Sequence, residues 1–154
     1  MLLHAKGNLI DLAEAGEFDV IVHGCNCQNT MGSGIAKEIR SRYPEVYLAD
    51  AKTLRGEKAK VGSFTLYDTG HFIIINAYTQ YHYLPRGVDH FEYDGFKRIL
   101  NRLLEKYGGV RYGFPYIGMG LAGGDSDRIF NILKEFSSMV EEIGGTATVV
   151  EYKA

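Results

Sequence analysis

The chain has 154 residues, a length that fits one domain. Hydrophobic residues make up 45% of it and charged residues 23%, a composition that excludes a disordered polypeptide. The net charge is −2 with both signs interspersed, so we expect no stable binding of nucleic acid. The two cysteines, Cys25 and Cys27, are too few and too close for a disulfide framework or a zinc site. The N-terminus lacks the apolar run of a signal peptide and no stretch is long enough for a membrane span, which predicts a cytoplasmic protein.

Strands and helices are predicted to alternate from the N-terminus onward. A first strand is predicted at 2–5, and a buried strand at 18–23, where the apolar run is continuous. A helix is predicted over 34–43, ending before Pro44 because the residue preceding a proline is disfavoured in helical geometry. A second short helix is predicted to follow it through Leu54.

The second half of the chain continues this alternation. The predicted elements are strands at 62–67 and 71–77 joined by a turn at 68–70, a helix through 96–107, a strand at 110–116, a helix through 129–143 and a strand at 146–152. Strands separated by helices predict an α/β domain with a largely parallel or mixed sheet that is covered on both faces. In such sheets, ligands bind beyond the carboxyl ends of the strands.

Two glycine-rich loops follow buried strands. The first runs from His23 to Gly34 and leads into a helix, where backbone N–H groups and the helix N-terminus favour an anion. Phosphate binding and a flexible connection are both compatible with this loop. The second, from Ile117 to Asp125, holds four glycines within seven residues, more than packing alone explains. Two such loops at one sheet edge suggest a diphosphate between two backbone cradles, although Asp125 also suits a helix N-cap.

The spacing within these loops carries a resemblance to a known family. Val20–Val22, His23-Gly-Cys-Asn26, Gly32-Ser-Gly34 and Ile35-Ala36, followed by Gly120–Gly123 in the second loop, resemble the macro domain family. The resemblance covers nearly the whole chain, so it implies a single macro domain over residues 1–154. It also implies a three-layer α/β/α fold with a mixed, largely parallel central sheet of about six strands.

The resemblance implies a site for ADP-ribose or a derivative. No metal-binding cluster is apparent in the sequence, so we expect a reaction that uses no metal and no cofactor. The implied ligand-binding residues are Asn8 and Leu9 at the adenine, Asn26 at the distal ribose, Gly32, Ser33, Gly34, Ile35 and Ala36 in the first loop, and Gly118, Met119, Gly120, Leu121 and Ala122 in the second. Gln80 is a further candidate for a ligand contact, and the alternative is a polar strand-end residue without a role. Asn8 stands where the family usually has an aspartate for the adenine amino group. Ala122 replaces the usual aromatic residue over the distal ribose, which implies a more open distal end.

His23 and Asp125 resemble the histidine and aspartate of the ADP-ribose 1″-phosphate phosphatase branch, including its bacteriophage-type members. Asp125 is then expected to orient or deprotonate a water, with Asp127 as the competing aspartate. His23 would bind the phosphate or protonate the leaving oxygen. If the two strands abut, the side chains of His23 and Asp125 are expected to face one cleft. The alternative for His23 is a buried histidine bonded to backbone at a strand end.

Two other functions stay open. A hydrolase that removes ADP-ribose from protein or nucleic acid is one, but the lysine-dependent branch has Thr-Lys where Thr79-Gln80 stands, and Gln80 cannot form the covalent sugar adduct. A non-catalytic reader of ADP-ribose is the other. In each case the expected partner is a small nucleotide ligand, and the sequence leaves the oligomeric state open.

Overall fold

A computed structural model of the protein describes residues 1–31, 34–85, 87–120 and 122–153. Strands and helices alternate along this part of the chain as the sequence predicted. The elements in order are β1 (Leu3–Gly7), α1 (Leu9–Glu14), β2 (Val20–Cys25), α2 (Gly34–Arg42), α3 (Pro44–Ala51), a 3-10 turn (Lys58–Lys60), β3 (Phe64–Asp68), β4 (Ile73–Tyr78), α4 (Tyr93–Tyr107), β5 (Arg111–Phe114), α5 (Ser126–Glu142) and β6 (Thr146–Tyr152).

The strands form one sheet in the order β1-β6-β5-β2-β4-β3. The β3–β4 pair is antiparallel and every other pair is parallel, so the predicted mixed, largely parallel sheet of six strands is confirmed. Strand β2 lies between β5 and β4. Because β2 and β5 are parallel neighbours, the loops that follow them leave the same edge of the sheet.

Helices cover both faces of the sheet and complete the predicted three layers. Successive side chains of a strand point to opposite faces. Val20 and Val22 therefore pack against α4 and α5, while Ile21 packs against α1, α2 and α3. Each face has its own apolar cluster, and burial of these clusters holds the layers together.

The helices begin earlier than their apolar spacing predicts. Helix α4 starts at Tyr93 and α5 at Ser126, each three residues before the first apolar residue of its periodic run. The first turns of both helices contain polar residues, which carry no periodic signal. Helix α1 was not predicted at all, because its six residues are too few to show a helical repeat.

Strand β5 is shorter than predicted, ending at Phe114 instead of Tyr116. Pro115 has no backbone N–H to donate to a neighbouring strand, so pairing stops there. The chain then enters the second glycine-rich loop.

No helix in the described ranges has both the length and the apolar character required to cross a membrane.

Candidate functional site

Two cavities open at the carboxyl ends of β2 and β5, each with a volume of about 530 Å³. The first is lined by Gly24, Cys25, Asn26, Thr30, Gly34, Ile35, Ala36, Thr79, Gln80, Tyr83, Pro115, Tyr116, Ile117, Gly118, Gly120 and Ala122. The second is lined by Gly7, Asn8, Leu9, Gly34, Ile35, Glu38, Pro115, Tyr116, Val150 and Tyr152. Because Gly34, Ile35, Pro115 and Tyr116 belong to both walls, the cavities are two parts of one cleft.

The first loop contributes Asn26, the residue predicted at the distal ribose, to the wall of the first cavity. The Asn26 side chain accepts a hydrogen bond from the backbone N–H of Gln28 at 2.8 Å and donates one to Thr30 Oγ1 at 2.9 Å. The backbone N–H of Cys27 donates to the carbonyl of Tyr81 at 2.9 Å. These bonds fix the loop where it leaves β2 and tie it to the segment after β4.

Gly34 stands in the wall shared by the two cavities. Its φ is +56°, in the left-handed region that favours glycine. A side chain added at Gly34 would meet no atom of the described residues within 4 Å. Gly34 is also the first residue of α2, and the first N–H groups of a helix lack acceptors within the helix. Gly32 and Ser33, predicted beside it, lie outside the described residues.

The four glycines of the second loop divide into two kinds. A Cβ at Gly118 would lie 2.3 Å from the Phe91 ring, one at Gly123 2.7 Å from the Val88 carbonyl oxygen and one at Gly124 2.5 Å from the Gly118 oxygen. These three positions require glycine for close packing. At Gly120, a Cβ would meet no atom of the part of the chain that the structure describes within 4 Å, and this residue lines the first cavity.

The residues beside these glycines differ in whether they line the cavity or pack into the apolar core. Ala122 lines the first cavity, whereas the side chain of Met119 packs against the apolar cluster below α4 and α5. Leu121 lies outside the described residues. Gln80 lines the first cavity, and its Nε2 donates to the His82 carbonyl at 3.1 Å.

Thr79 was missed by the sequence-based prediction of ligand-binding residues. Its backbone is fully bonded: the N–H donates to the Cys25 carbonyl at 3.2 Å, and the carbonyl accepts from Glu92 N–H at 2.7 Å. Its hydroxyl is buried without a hydrogen-bond partner among the described residues. A Cβ at Gly24 would lie 2.9 Å from this hydroxyl, so the glycine leaves the space beside it clear. The only sequence signal was its position before Gln80.

Asn8 and Leu9, the residues predicted at the adenine, line the second cavity. Asn8 is also the N-cap of α1, because its Oδ1 accepts from the N–H groups of Ile10 at 2.9 Å and Asp11 at 3.0 Å. Its Nδ2 donates to Glu38 Oε1 at 2.8 Å. Sequence reasoning did not identify Glu38, which looked like one more charged residue on an amphipathic helix.

His23 does not reach either cavity. It is 1% exposed, and its Nε2 lies 2.6 Å from Asn76 Oδ1. Asn76 Nδ2 donates to the Val46 carbonyl and to Thr65 Oγ1, both at 3.0 Å, so its Oδ1 is the acceptor and His23 Nε2 carries the proton. Burial lowers the pKa of His23 to about 4, against the smaller opposing effect of the Asn76 hydrogen bond.

Asp125 is the N-cap of α5. Its Oδ1 accepts from the Arg128 N–H at 3.3 Å, and its own N–H donates to the Tyr93 hydroxyl at 2.7 Å. Its side chain is exposed, as is that of Asp127 in the first turn of the helix. Neither aspartate belongs to the described wall of either cavity.

The expectation that His23 and Asp125 face one cleft is therefore wrong. Strands β2 and β5 do abut, but alternation along β2 points His23 to the same face of the sheet as Ile21, under α1, α2 and α3. Asp125 caps a helix on the other face. The His23 side chain and the helix that Asp125 caps therefore lie on opposite faces of the sheet.

Within the described ranges, no group of three or more histidine, cysteine, aspartate or glutamate side chains is placed to hold a metal ion. Cys25 and Cys27 are both buried free thiols, and burial raises the pKa of Cys27 to about 11. Neither thiol has the depressed pKa of a nucleophilic cysteine.

Comparison with known proteins defines the class. Residues 22–133 match the Macro domain family, and the chain belongs to that family. It is 33% identical over 147 residues to an uncharacterized 17.5 kDa protein of Enterobacteria phage T4, covering 90% of this chain and 91% of that protein. It is 28% identical over 144 residues to a DNA ADP-ribosyl glycohydrolase of Mycobacterium tuberculosis, covering 94% of this chain but only 33% of that enzyme.

A solved structure supports the same fold. The Trypanosoma brucei macrodomain in complex with ADP-ribose superposes with a TM-score of 0.68 at 19% identity, covering 97% of this chain and 62% of that one. At this identity the likeness concerns the fold.

Proposed function

We propose that this macro domain binds ADP-ribose and hydrolyses ADP-ribose 1″-phosphate. The observation that carries the proposal is the continuous cleft, in which Gly34, Ile35, Pro115 and Tyr116 join a polar, glycine-lined cavity to a more apolar one. A ligand that fills such a cleft has a flat apolar group at one end, a charged linker and a polar sugar at the other. ADP-ribose has these three parts in this order.

Each part of ADP-ribose has a matching wall. The base fits the second cavity, where Leu9, Val150 and the exposed ring of Tyr152 supply apolar surface. The diphosphate fits between the open glycines Gly34 and Gly120, where backbone can approach an anion. The complex of the trypanosomal macrodomain with ADP-ribose supports this ligand for the family.

The distal ribose fits the part of the first cavity that Asn26, Thr79 and Gln80 line. The small side chain of Ala122 leaves room there for a phosphate on C1″. Hydrolysis requires a water that forms a bond to phosphorus while the bond from phosphorus to the ribose oxygen breaks, and the leaving ribose oxygen takes a proton from bulk solvent. Asp125 is the carboxylate of the second loop that we assign as the base for the water; it lies outside the cavity wall, three positions beyond Ala122, and caps α5, so this assignment rests on its position in the loop.

His23 has a different assignment. Its buried imidazole, bonded to Asn76, makes it a positioning residue that fixes the end of β2, where the first loop begins. With a pKa of about 4, it is neutral at pH 7 and holds its proton on the nitrogen that faces Asn76. This arrangement suits support of the site and not proton transfer to a ligand.

Removal of ADP-ribose from DNA is the second candidate. It is favoured by the mycobacterial glycohydrolase, which aligns with 94% of this chain. Gln80 opposes a mechanism through a covalent sugar adduct, because a neutral amide nitrogen is not a nucleophile of the kind a lysine supplies.

The test places three measurements side by side. Calorimetry with ADP-ribose checks the ligand, release of inorganic phosphate from ADP-ribose 1″-phosphate checks the reaction, and release of ADP-ribose from a modified oligonucleotide checks the second candidate. We expect binding and phosphate release. Binding without either release would assign a reader of ADP-ribose, and no binding at millimolar ligand would overturn the proposal as a whole.

A further inference from the structure

The side chain of Lys60 is buried against the first loop, although lysine is ordinarily a surface residue. Its ammonium donates hydrogen bonds to Asn29 Oδ1 at 2.6 Å and to Thr53 Oγ1 at 2.8 Å. We infer that Lys60 is a positioning residue that acts through Asn29 on the first loop. It fixes the turn that sets Asn26 and Thr30 in the wall of the first cavity. The inference rests on the proposed function, because its ligand test assumes that ADP-ribose occupies the cleft.

Asn26 and Thr30 are bonded to each other across a tight turn of the first loop. Asn26 Nδ2 donates to Thr30 Oγ1 at 2.9 Å, and Asn26 Oδ1 accepts from the backbone N–H of Gln28 at 2.8 Å. Asn29 lies within this turn with a φ of +56°, and in the described ranges it is the one residue other than glycine that has a positive φ. This conformation is uncommon for a residue with a side chain, so contacts outside the turn must hold it.

The Asn29 side chain supplies such contacts, because it bonds to segments outside the loop. Its Nδ2 donates to the Thr53 carbonyl at 2.8 Å, and its Oδ1 accepts from Lys60 Nζ. Thr53 Oγ1 also lies 3.0 Å from Asn29 Oδ1, but a hydroxyl carries a single hydrogen, and the Asp50 carbonyl is nearer to it, at 2.6 Å. Lys60 is therefore the donor on which Asn29 Oδ1 depends.

The backbone and the charge of Lys60 are both held in place. Its carbonyl accepts from the N–H of Ser63 at 2.8 Å and from the Ser63 hydroxyl at 2.5 Å. Its charge acts on the buried carboxyl of Asp50: burial raises the pKa of Asp50, while the Tyr78 hydrogen bond and the Lys60 charge oppose that rise. Because a buried charge needs such partners, the ammonium has a fixed place against Asn29.

The turn concerns one end of the proposed ligand. Asn26 and Thr30 line the first cavity, and neither belongs to the described wall of the second. Under the proposed function, ADP-ribose places its distal ribose in the first cavity, whereas ADP has no distal ribose. Loss of the Lys60 ammonium should therefore weaken binding of ADP-ribose and leave binding of ADP unchanged. A residue that only stabilised the fold would affect both ligands alike.

The test compares ADP-ribose with ADP by calorimetry, in the wild type and in Lys60→Met, which keeps the apolar stem and removes the donors. We expect affinity for ADP-ribose to fall about tenfold, the effect of one misplaced hydrogen bond to the ligand, and affinity for ADP to stay unchanged. Asn29→Gly should show the same selective loss, because glycine accepts the positive φ but makes no side-chain bond. The double variant should lose no more than either single variant, since both changes break one connection.

Lys58→Met is the matched control. Lys58 belongs to the same 3-10 turn, but its side chain is exposed and lines neither described cavity wall, so its variant should bind both ligands as the wild type does. A second measurement needs no ligand. Deuterium exchange of the Gln28 amide should be faster in Lys60→Met than in the wild type, because this N–H is bonded within the turn.

Three results would each overturn the inference while the proposed function stands: equal weakening of both ligands, unchanged affinity for ADP-ribose, or unchanged Gln28 exchange in Lys60→Met. If Lys60→Met fails to fold, Asn29→Gly carries both measurements. Failure of the wild type to bind ADP-ribose would instead reject the proposed function, and the Gln28 exchange would then decide whether Lys60 fixes the turn.

Discussion

His23 Nε2 donates a hydrogen bond of 2.6 Å to Asn76 Oδ1, and the two residues are paired across β2 and β4 at the centre of the sheet. Asn76 Nδ2 in turn donates hydrogen bonds to the Val46 carbonyl in α3 and to Thr65 Oγ1 in β3. This polar chain is buried, so each of its members must keep its partner. These hydrogen bonds link four elements, β2, β4, α3 and β3, at the strand end from which the first loop leaves.

The free energy of unfolding should fall on acidification through His23. Burial lowers its pKa to about 4 in the folded protein, whereas the unfolded chain has an ordinary pKa of about 6.5. Between these values the unfolded state binds more protons, so stability is present near pH 7 and is lost as the pH falls toward 4. The loss from this residue should be about 3 kcal/mol.

Urea unfolding at several pH values measures this effect. His23→Gln should show a flatter dependence on pH than the wild type over pH 4 to 7. His71→Gln, at an exposed turn between β3 and β4, should keep the wild-type dependence. Identical slopes in wild type and His23→Gln would reject the neutral buried imidazole.

Thr79→Val should stabilise the free protein and weaken ligand binding. The buried Thr79 hydroxyl has no partner among the described residues, so replacing it with a methyl group should raise the free energy of unfolding by about 1 kcal/mol. If the ligand is its missing partner, affinity for ADP-ribose should fall about tenfold. Chemical unfolding and calorimetry measure the two effects.

Thr65→Val is the matched control, because the Thr65 hydroxyl bonds to Asn76 and Tyr78 at 3.0 Å. This variant should lose stability instead of gaining it. Thr79→Ser, which keeps the hydroxyl, should retain the affinity. If Thr79→Val lowered stability and left affinity unchanged, its hydroxyl would have a structural role.

Gly34→Val should abolish the rise in melting temperature that ADP-ribose produces. The added side chain would project into the wall shared by both cavities. Gly70→Val is the matched control, because Gly70 also has a positive φ, of +95°, and no described atom within 4 Å of an added Cβ. It should therefore lose a comparable amount of folding stability, but Gly70 lies in the β3–β4 turn, away from both cavities. Both variants should lose about 1 kcal/mol of stability, and only Gly34→Val should lose the thermal shift. A normal shift in Gly34→Val would remove Gly34 from the binding site.

Asp125→Asn should reduce phosphate release by about 100-fold or more if Asp125 is the general base. Its stability should stay near that of the wild type, because asparagine and aspartate cap helices about equally well. Asp127→Asn tests the neighbouring aspartate of the same helix, and it should turn over normally. Full activity in Asp125→Asn would leave Asp125 as a helix cap alone.

The sequence predicted the layers, the sheet type and most of the cleft, because each depends on local patterns. Apolar periodicity marked α4 and α5, and the two glycine loops marked the carboxyl edge of β2 and β5. Side-chain direction was harder to predict. The prediction for His23 used only its position at the end of a strand. His23 is two positions after Ile21, so its side chain points to the same face of the sheet as that of Ile21, and this alternation was not used.

Contacts between distant segments were also beyond the sequence. Glu38 is hydrogen-bonded to Asn8, which lies thirty positions away in the chain, and no local sequence pattern predicts this contact. Three glycines of the second loop resembled an anion cradle but serve close packing against Phe91, Val88 and the loop itself. A glycine-rich loop indicates that its backbone closely approaches other atoms, but the sequence does not show whether those atoms belong to a ligand or to the protein itself.

The double role of Asn8 couples helix α1 to occupancy of the cleft. Six residues are too few for a helix to persist without its cap and its packing, so α1 is expected to open locally more readily than α4 or α5. A base bound against Asn8 and Glu38 would hold the capping side chain in place. Amide protons of α1 should then exchange with deuterium more slowly in the presence of ligand, far from the diphosphate and the reacting end.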